Sequence, residues 1–218
     1  MIHIFKALLC DFDGVIGNTA DDTWGAWSRA FAIYDIKISQ EEYFLEEGRS
    51  SEEILRAFLK KENRNEFIIP AILAEKDKIL LAKTKANIFP GTKELFQWAK
   101  SAGIKVGVVS GGSKKRLSKP EIQSEISAAD ILVTADDVSI RKPSPEPYLK
   151  AASLLNVHPN ECLVIENAPL GIESAKRAGM PCIAITSTLP KKYLSNADIV
   201  VDNLLSALEV VKEWSNKK

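Results

Sequence analysis

Residues 8–19, LLCDFDGVIGNT, form an apolar run that stops abruptly at two carboxylates, Asp11 and Asp13, followed by Gly14. In an open α/β sheet, ligands bind in the crevice beyond the carboxyl ends of the strands, so a strand that delivers acids at its end reads as a site. Asp and Gly are also ordinary turn residues, and the tetrapeptide alone leaves both readings open. A calcium loop needs oxygen ligands at alternate positions and a Glu at the twelfth. Val15 and Ile16 interrupt that pattern and Asp22 stands where the Glu belongs, so calcium is set aside.

Three further strand ends carry similar punctuation. VVSGG puts Ser110 at the end of an apolar run, with Gly111 and Gly112 opening the next segment. RKPSP holds Lys142 in a loop, and VIENAPLG ends a strand in Glu166 and Asn167. Each has an ordinary structural role available. Ser110 suits a helix N-cap, Lys142 suits a solvated surface, and Glu166 suits a loop. Four strand ends punctuated alike are less easily ordinary, because a parallel sheet brings alternate connections to one rim.

The elements that must position these residues follow from periodicity. Residues 5–12 read as a first strand, apolar nearly throughout, as expected of a strand buried on both faces. From 18 to 85 the pattern turns helical: Trp24, Trp27, Phe31 and Tyr34 recur at helical spacing, residues 48–61 form a helix capped by Ser50 or Ser51, and residues 70–83 form another. Aromatics at such spacing mark a core face more than a substrate surface. Beyond residue 88, strands at 105–109, 131–134, 162–165, 182–185 and 199–201 alternate with helices at 91–102, 114–126, 146–156, 170–178 and 204–214, with Pro120 kinking or breaking the second. Alternation of this kind requires right-handed crossovers and a covered parallel sheet. The expected fold is α/β, a Rossmann-like three-layer α/β/α core formed by residues 1–17 and 86–218, with an inserted all-α helical-bundle cap at 18–85.

Composition narrows the partners. The 218 residues carry 29 Lys plus Arg against 29 Asp plus Glu, so no global field draws nucleic acid or an anionic membrane. Acids appear within a dozen residues of the start and no apolar run approaches a membrane span, so a cytoplasmic protein with a small-molecule partner is expected, as a monomer or weak homodimer. Cys10, Cys162 and Cys182 each lie in an apolar run without zinc or redox spacing, and read as buried reduced thiols.

In sequence, order and separation, DFDGVIGNT, SGG, KPSPEPYL and IENAPLGIESAKRAGM resemble the four motifs of the haloacid dehalogenase superfamily, in the helical-cap branch that includes β-phosphoglucomutases and phosphoglycolate phosphatases. The resemblance spans nearly the whole chain. It implies Asp11, ionised with an ordinary carboxylate pKa, as a nucleophile that becomes an aspartyl phosphate. Mg²⁺ would be held by Asp11, the Asp13 main-chain carbonyl, Glu166 and Asn167. Asp13 would act as acid and then base, with neighbouring negative charge raising its pKa. Ser110 and the Gly111 N–H would bind phosphoryl oxygens, and Lys142 would neutralise their charge. Gly48 and Arg49 stand where relatives present a glycine and a basic residue to substrate. Arg49 would clamp a second phosphate or a carboxylate, or else face solvent.

Two departures matter. The fourth motif usually brings two acids, whereas Asn167 follows Glu166 here, which implies weaker Mg²⁺ binding. Asn18 replaces a usual Asp and is expected to be a structural cap at the hinge. The mutases carry a histidine where this chain has Thr23, and its two histidines, His3 and His158, lie elsewhere. The expected activity is therefore a Mg²⁺-dependent phosphatase for a small phosphate monoester, with a sugar-phosphate mutase and a non-catalytic phosphate-binding protein as alternatives.

Overall fold

The computed structural model describes residues 5–82 and 87–216. The first strand, β1 (Ala7–Asp11), is followed by four helices: α1 (Ala20–Ile33), α2 (Gln40–Leu45), α3 (Ser51–Lys61) and α4 (Ile69–Leu81). The chain then runs through α5 (Thr92–Ser101), β2 (Lys105–Val109), α6 (Lys114–Leu117), α7 (Pro120–Ile126), β3 (Ile131–Val133), α8 (Glu146–Leu154), β4 (Cys162–Glu166), α9 (Pro169–Arg177), β5 (Cys182–Ile185), β6 (Ile199–Val201) and α10 (Leu204–Asn216).

Among the described residues the six strands are all parallel, in the order β3-β2-β1-β4-β5-β6. The chain winds outward from β1 to β3, then crosses back to lay β4 on the other side of β1. The order therefore reverses between β1 and β4, and that switch point is where an open α/β sheet leaves a crevice. Cys10 pairs in register with Ile165, so Asp11 and Glu166 end neighbouring strands at the crevice.

Alternate residues of β1 supply two cores. Leu8 and Cys10 pack with Leu95 and Phe96 of α5 and Leu204 and Leu208 of α10. Ala7 and Leu9 belong with Tyr148 and Ala151 of α8 and Ile172 and Ala175 of α9. This gives the three expected layers. The second core continues into the inserted helices, where Trp27 stacks on Phe31 with ring centroids 5.2 Å apart and Phe58 meets Phe31 edge-on at 6.1 Å. Trp24 packs against this core, whereas Trp27 both packs in it and lines the cavity of the candidate site.

Helix boundaries follow from local chemistry. Ser50 caps α3 in a reciprocal box with Glu53, each satisfying the other's backbone N–H. An equivalent box between Ser39 and Glu42 starts α2, a helix that periodicity alone does not reveal. Pro120 breaks the 114–126 stretch outright: α6 ends at Leu117, and Pro120 opens α7 at a position that needs no N–H. The two linkers to the insert pair with each other, Asn18 N donating to Asn87 O at 2.9 Å and Phe89 N to Ile16 O at 2.9 Å. The expected border at 85–86 and the expected helix end at Lys83 lie outside the described residues. The three cysteines are buried and unpaired. Among the described residues no helix is long and apolar enough to cross a membrane.

Candidate active site

Lys142 ties the switch point together. Its Nζ donates to Asp11 Oδ1 at 2.5 Å and to Glu166 Oε1 at 2.6 Å, and all three side chains are buried. A lysine in this position is not the solvated residue that its type suggests. Glu166 is held from every side: Tyr148 OH donates to Oε1 at 2.8 Å, and the main-chain N–H groups of Asn167 and Ala168 donate to Oε2 at 2.8 and 3.1 Å. Gly171 makes room for it, since a Cβ there would lie 1.8 Å from Glu166 Oε1.

Burial pushes the Asp11 carboxyl up to about 8; Lys142 opposes that push, while Glu166 and Asp13 reinforce it. This corrects the expectation of an ordinary, freely ionised carboxylate. The bare site holds too many acids in too little water, and Asp11 becomes a good anion only with more positive charge beside it.

Asp13 behaves in the opposite sense. Burial alone would raise its pKa, but the guanidinium of Arg116 lowers it below the usual carboxylate range, helped by Thr19 and Ser110. Arg116 Nη1 donates to Oδ2 at 2.8 Å and Nη2 donates to Oδ1. Thr19 Oγ1 donates to Oδ1 at 2.5 Å, and Ser110 Oγ lies 3.4 Å from Oδ2. The expected rise is therefore overturned, because the Arg116 guanidinium outweighs the effect of burial. Thr19 also takes the N-cap position of α1, so Asn18 is not the cap; its contribution is the main-chain pairing of the linker. Ser110 is no cap either, since Ser113 caps α6.

Asn167 is 1% exposed. Its Nδ2 donates to Thr188 Oγ1 at 3.0 Å and to Glu47 Oε2 at 3.4 Å, while its buried Oδ1 has no hydrogen-bond partner. Gly14, at φ +91°, lies so close that a Cβ would come within 2.3 Å of that Nδ2, which accounts for glycine after the two acids. Among the described residues no three Asp, Glu, His or Cys side chains gather as a metal cluster. The oxygen set is mixed: two carboxylates, Asp11 and Glu166, with one orphaned amide oxygen. That fits Mg²⁺, which keeps several waters and takes one or two carboxylates, and it does not fit a soft metal.

A cavity of about 520 Å³ opens between the sheet edge and the insert. Asp11, Asp13, Gly111 and Lys142 form its floor, and Gly48 and Arg49 line the side given by the insert. Arg49 is half-exposed and its Nε is bonded to Glu46 Oε2 at 2.6 Å. Several lining residues do not stand out in the sequence, among them Arg116, Glu47 and Lys76. Arg116 sits in a basic run, KKR, that looks like a solvated face. Glu47 is one of several acids before Gly48. Lys76, on α4, is buried with its Nζ 5.1 Å from the Trp27 ring centroid and 2.8 Å from Asp77 Oδ1. Thr23 lines the cavity with its hydroxyl buried and unpartnered, and among the described residues no histidine does.

Residues 8–185 match the family model described as haloacid dehalogenase-like hydrolase. The chain is a haloacid dehalogenase-like hydrolase. It is 31% identical over 207 residues to validoxylamine A 7'-phosphate phosphatase of Streptomyces hygroscopicus subsp. limoneus, covering 92% of this chain and 95% of that one. To hexitol phosphatase A of Escherichia coli it is 28% identical over 203 residues, covering 91% of each. The structure of β-phosphoglucomutase from Clostridium difficile superposes with a TM-score of 0.83 at 28% identity, covering 98% of both chains. Within the haloacid dehalogenase-like hydrolases, the chain thus belongs to the helical-cap branch similar to β-phosphoglucomutase, as the four motifs implied.

Proposed function

We propose that this hydrolase is a Mg²⁺-dependent phosphatase that cleaves a small phosphate monoester through an aspartyl phosphate on Asp11. The observation that carries the reading is the buried Asp11–Lys142–Glu166 cluster at the switch point of the sheet. Residues 18–85 act as a cap over a core of residues 1–17 and 86–218, and the cavity between them receives the substrate. Three free buried thiols suit a reducing, cytoplasmic setting.

Asp11, Glu166, Asn167 Oδ1 and the Asp13 main-chain carbonyl would hold the cation. Bound there, Mg²⁺ supplies charge screening between an anionic phosphate and an attacking carboxylate. Asp11 attacks phosphorus, the bond to the leaving oxygen breaks, and Asp13, which must enter this step protonated against the pull of Arg116, gives that oxygen a proton. A water then attacks the aspartyl phosphate while Asp13 takes its proton, which releases phosphate and restores Asp11. Arg116 favours the ionised form of Asp13, the form this second step needs. Ser110 Oγ and the Gly111 N–H donate to phosphoryl oxygens, and Lys142 neutralises charge spreading over them. Gly48 and Arg49 meet the leaving group.

A mutase reading has less support, because Thr23 stands at the position of the mutase histidine. His158 is exposed and bonded to Asn160, and His3 lies outside the described residues.

Turnover of an aryl phosphate with Mg²⁺, with EDTA, and with Mg²⁺ restored tests the proposal, followed by a panel of sugar and hexitol phosphates. Metal-dependent release of phosphate is expected. Absence of release from every compound in the presence of Mg²⁺ would contradict it.

A further inference from the structure

Thr23, on α1, lines the cavity at 8% exposure and carries a buried hydroxyl that has no hydrogen-bond partner among the described residues. A hydroxyl buried in this way costs stability, and within a helix it commonly turns back to the carbonyl four residues earlier. That carbonyl is Thr19 O, which accepts the Thr23 main-chain N–H at 2.9 Å and not the hydroxyl. The fold therefore leaves this oxygen for whatever the cavity receives.

Its height above the reacting atoms follows from helix geometry. Residues four apart share a helix face, so Thr19, Thr23 and Trp27 form one column along α1. At the foot of the column Thr19 Oγ1 donates to Asp13 Oδ1 at 2.5 Å, and Asp13 meets the leaving oxygen in the mechanism above. Thr23 lies about one turn further, on the order of 5.4 Å along the axis, which suits a group on a carbon next to the scissile ester.

The wall around the column is polar without net charge. Lys76 Nζ lies 5.1 Å from the Trp27 ring centroid, pairs with Asp77 Oδ1 at 2.8 Å and donates to Ser51 Oγ at 3.2 Å. Phe31, Tyr43 and Lys76 all lie against the Trp27 ring, which is 2% exposed and offers no face for a ring to stack on. Beyond the floor and Arg116, the other charged lining groups are Glu47 and Arg49 on the α2–α3 turn, Lys115 on α6 and Arg141 after β3, none of them on this column. A neutral donor and acceptor in a charge-balanced wall fits a neutral hydroxyl, which also donates and accepts, better than a second anion.

We propose that Thr23 is a specificity-determining residue whose hydroxyl bonds a hydroxyl of the leaving group beside the scissile ester, so that phosphate monoesters of polyols, sugars or alditols, are selected over those of plain alcohols. The proposal rests on the phosphatase reading above.

Steady-state kinetics of the full chain with Mg²⁺ tests it, on glucose, erythritol and sorbitol phosphates and on n-butyl phosphate, which has no hydroxyl. Thr23→Val and Thr23→Ser are compared with the unaltered protein, and each ligand-free protein is followed by thermal unfolding. One neutral hydrogen bond corresponds to about fivefold to tenfold, so the unaltered protein is expected to favour its best polyol ester over butyl phosphate by at least that factor in kcat/KM. Thr23→Val is expected to lose about fivefold to tenfold on that polyol ester and to stay within about twofold on butyl phosphate. Thr23→Ser is expected to keep the preference. Because valine removes a hydroxyl that the fold leaves unpaired, Thr23→Val is expected to match or exceed the thermal midpoint of the unaltered protein. Equal losses on both kinds of ester, no preference in the unaltered protein, loss of the preference in Thr23→Ser, or a lowered midpoint in Thr23→Val would overturn the proposal. Failure of the unaltered protein to release phosphate from any ester would instead contradict the phosphatase reading itself.

Discussion

Arg116 grips Asp13 at two points, Nη1 to Oδ2 at 2.8 Å and Nη2 to Oδ1, in a setting where both side chains are largely buried. The guanidinium also lies over the Phe12 ring, 5.7 Å from its centroid, so its position is fixed by packing as well as charge. This pair holds the Asp13 pKa below its usual value against a burial effect that would raise it.

Removing the cation should expose that opposing effect. Arg116→Met leaves a buried carboxylate unpaired and is expected to cost about 3–5 kcal/mol at neutral pH. In the native protein the depressed pKa stabilises the fold above the unfolded value, and this is lost as pH falls through the folded value. In the variant the pKa rises, so Asp13 takes up a proton sooner and the penalty relaxes. Urea unfolding at pH 7.5 and pH 4.5 should therefore show a smaller gap between the two proteins at the lower pH.

Gly171→Ala tests how tightly Glu166 is placed. The new methyl would overlap the carboxylate oxygen that Lys142 and Tyr148 share. Overpacking of this kind costs about 1–3 kcal/mol. The displaced carboxylate is also expected to reduce kcat/KM at least tenfold, on the order of one lost charge interaction at a site. Thermal unfolding and steady-state kinetics read the two effects separately.

Tyr148→Phe keeps the packing and removes one donor to Glu166 Oε1. A hydrogen bond to a buried charge contributes about 1.5–3 kcal/mol, and a stability loss in that range is expected by urea unfolding. A loss near zero would mean that Lys142 alone satisfies that oxygen.

Lys142→Met leaves Asp11 and Glu166 facing each other without the ammonium between them. Loss of one charge-stabilising donor typically lowers kcat by about 10²–10³, and a decrease of that size is expected with an aryl phosphate. The variant's Asp11 should also be harder to ionise, so its activity should shift to higher pH, a change read from the pH–rate profile.

Much of this architecture was legible in the chain. The apolar run of β1, the alternation of strand and helix after residue 88, and Pro120 as a break all follow from local patterns that tertiary packing reinforces. The strand-end residues Asp11, Asp13, Ser110, Lys142 and Glu166 were legible because topology forces strand ends to one rim. Arg116 was not, since its direction depends on α6 stopping after a single turn and on the flat face of Phe12 beneath it. Glu47 was hidden among Glu41, Glu42, Glu46, Glu52 and Glu53, and only the Gly48 turn decides which acid faces the sheet. The helix α2 was missed although Ser39 and Glu42 have capping-box spacing, because six residues are too few for an apolar period to emerge. The pKa of Asp13 was misjudged for the same reason as Arg116: charge partners come from distant segments.

The most direct test is to quench the protein in acid during turnover of an aryl phosphate with Mg²⁺ and map the phosphoryl group by peptide mass spectrometry. The expected result is a label on Asp11 that is absent, together with activity, in Asp11→Asn. A label on another residue, or turnover that persists in Asp11→Asn, would contradict the aspartyl phosphate.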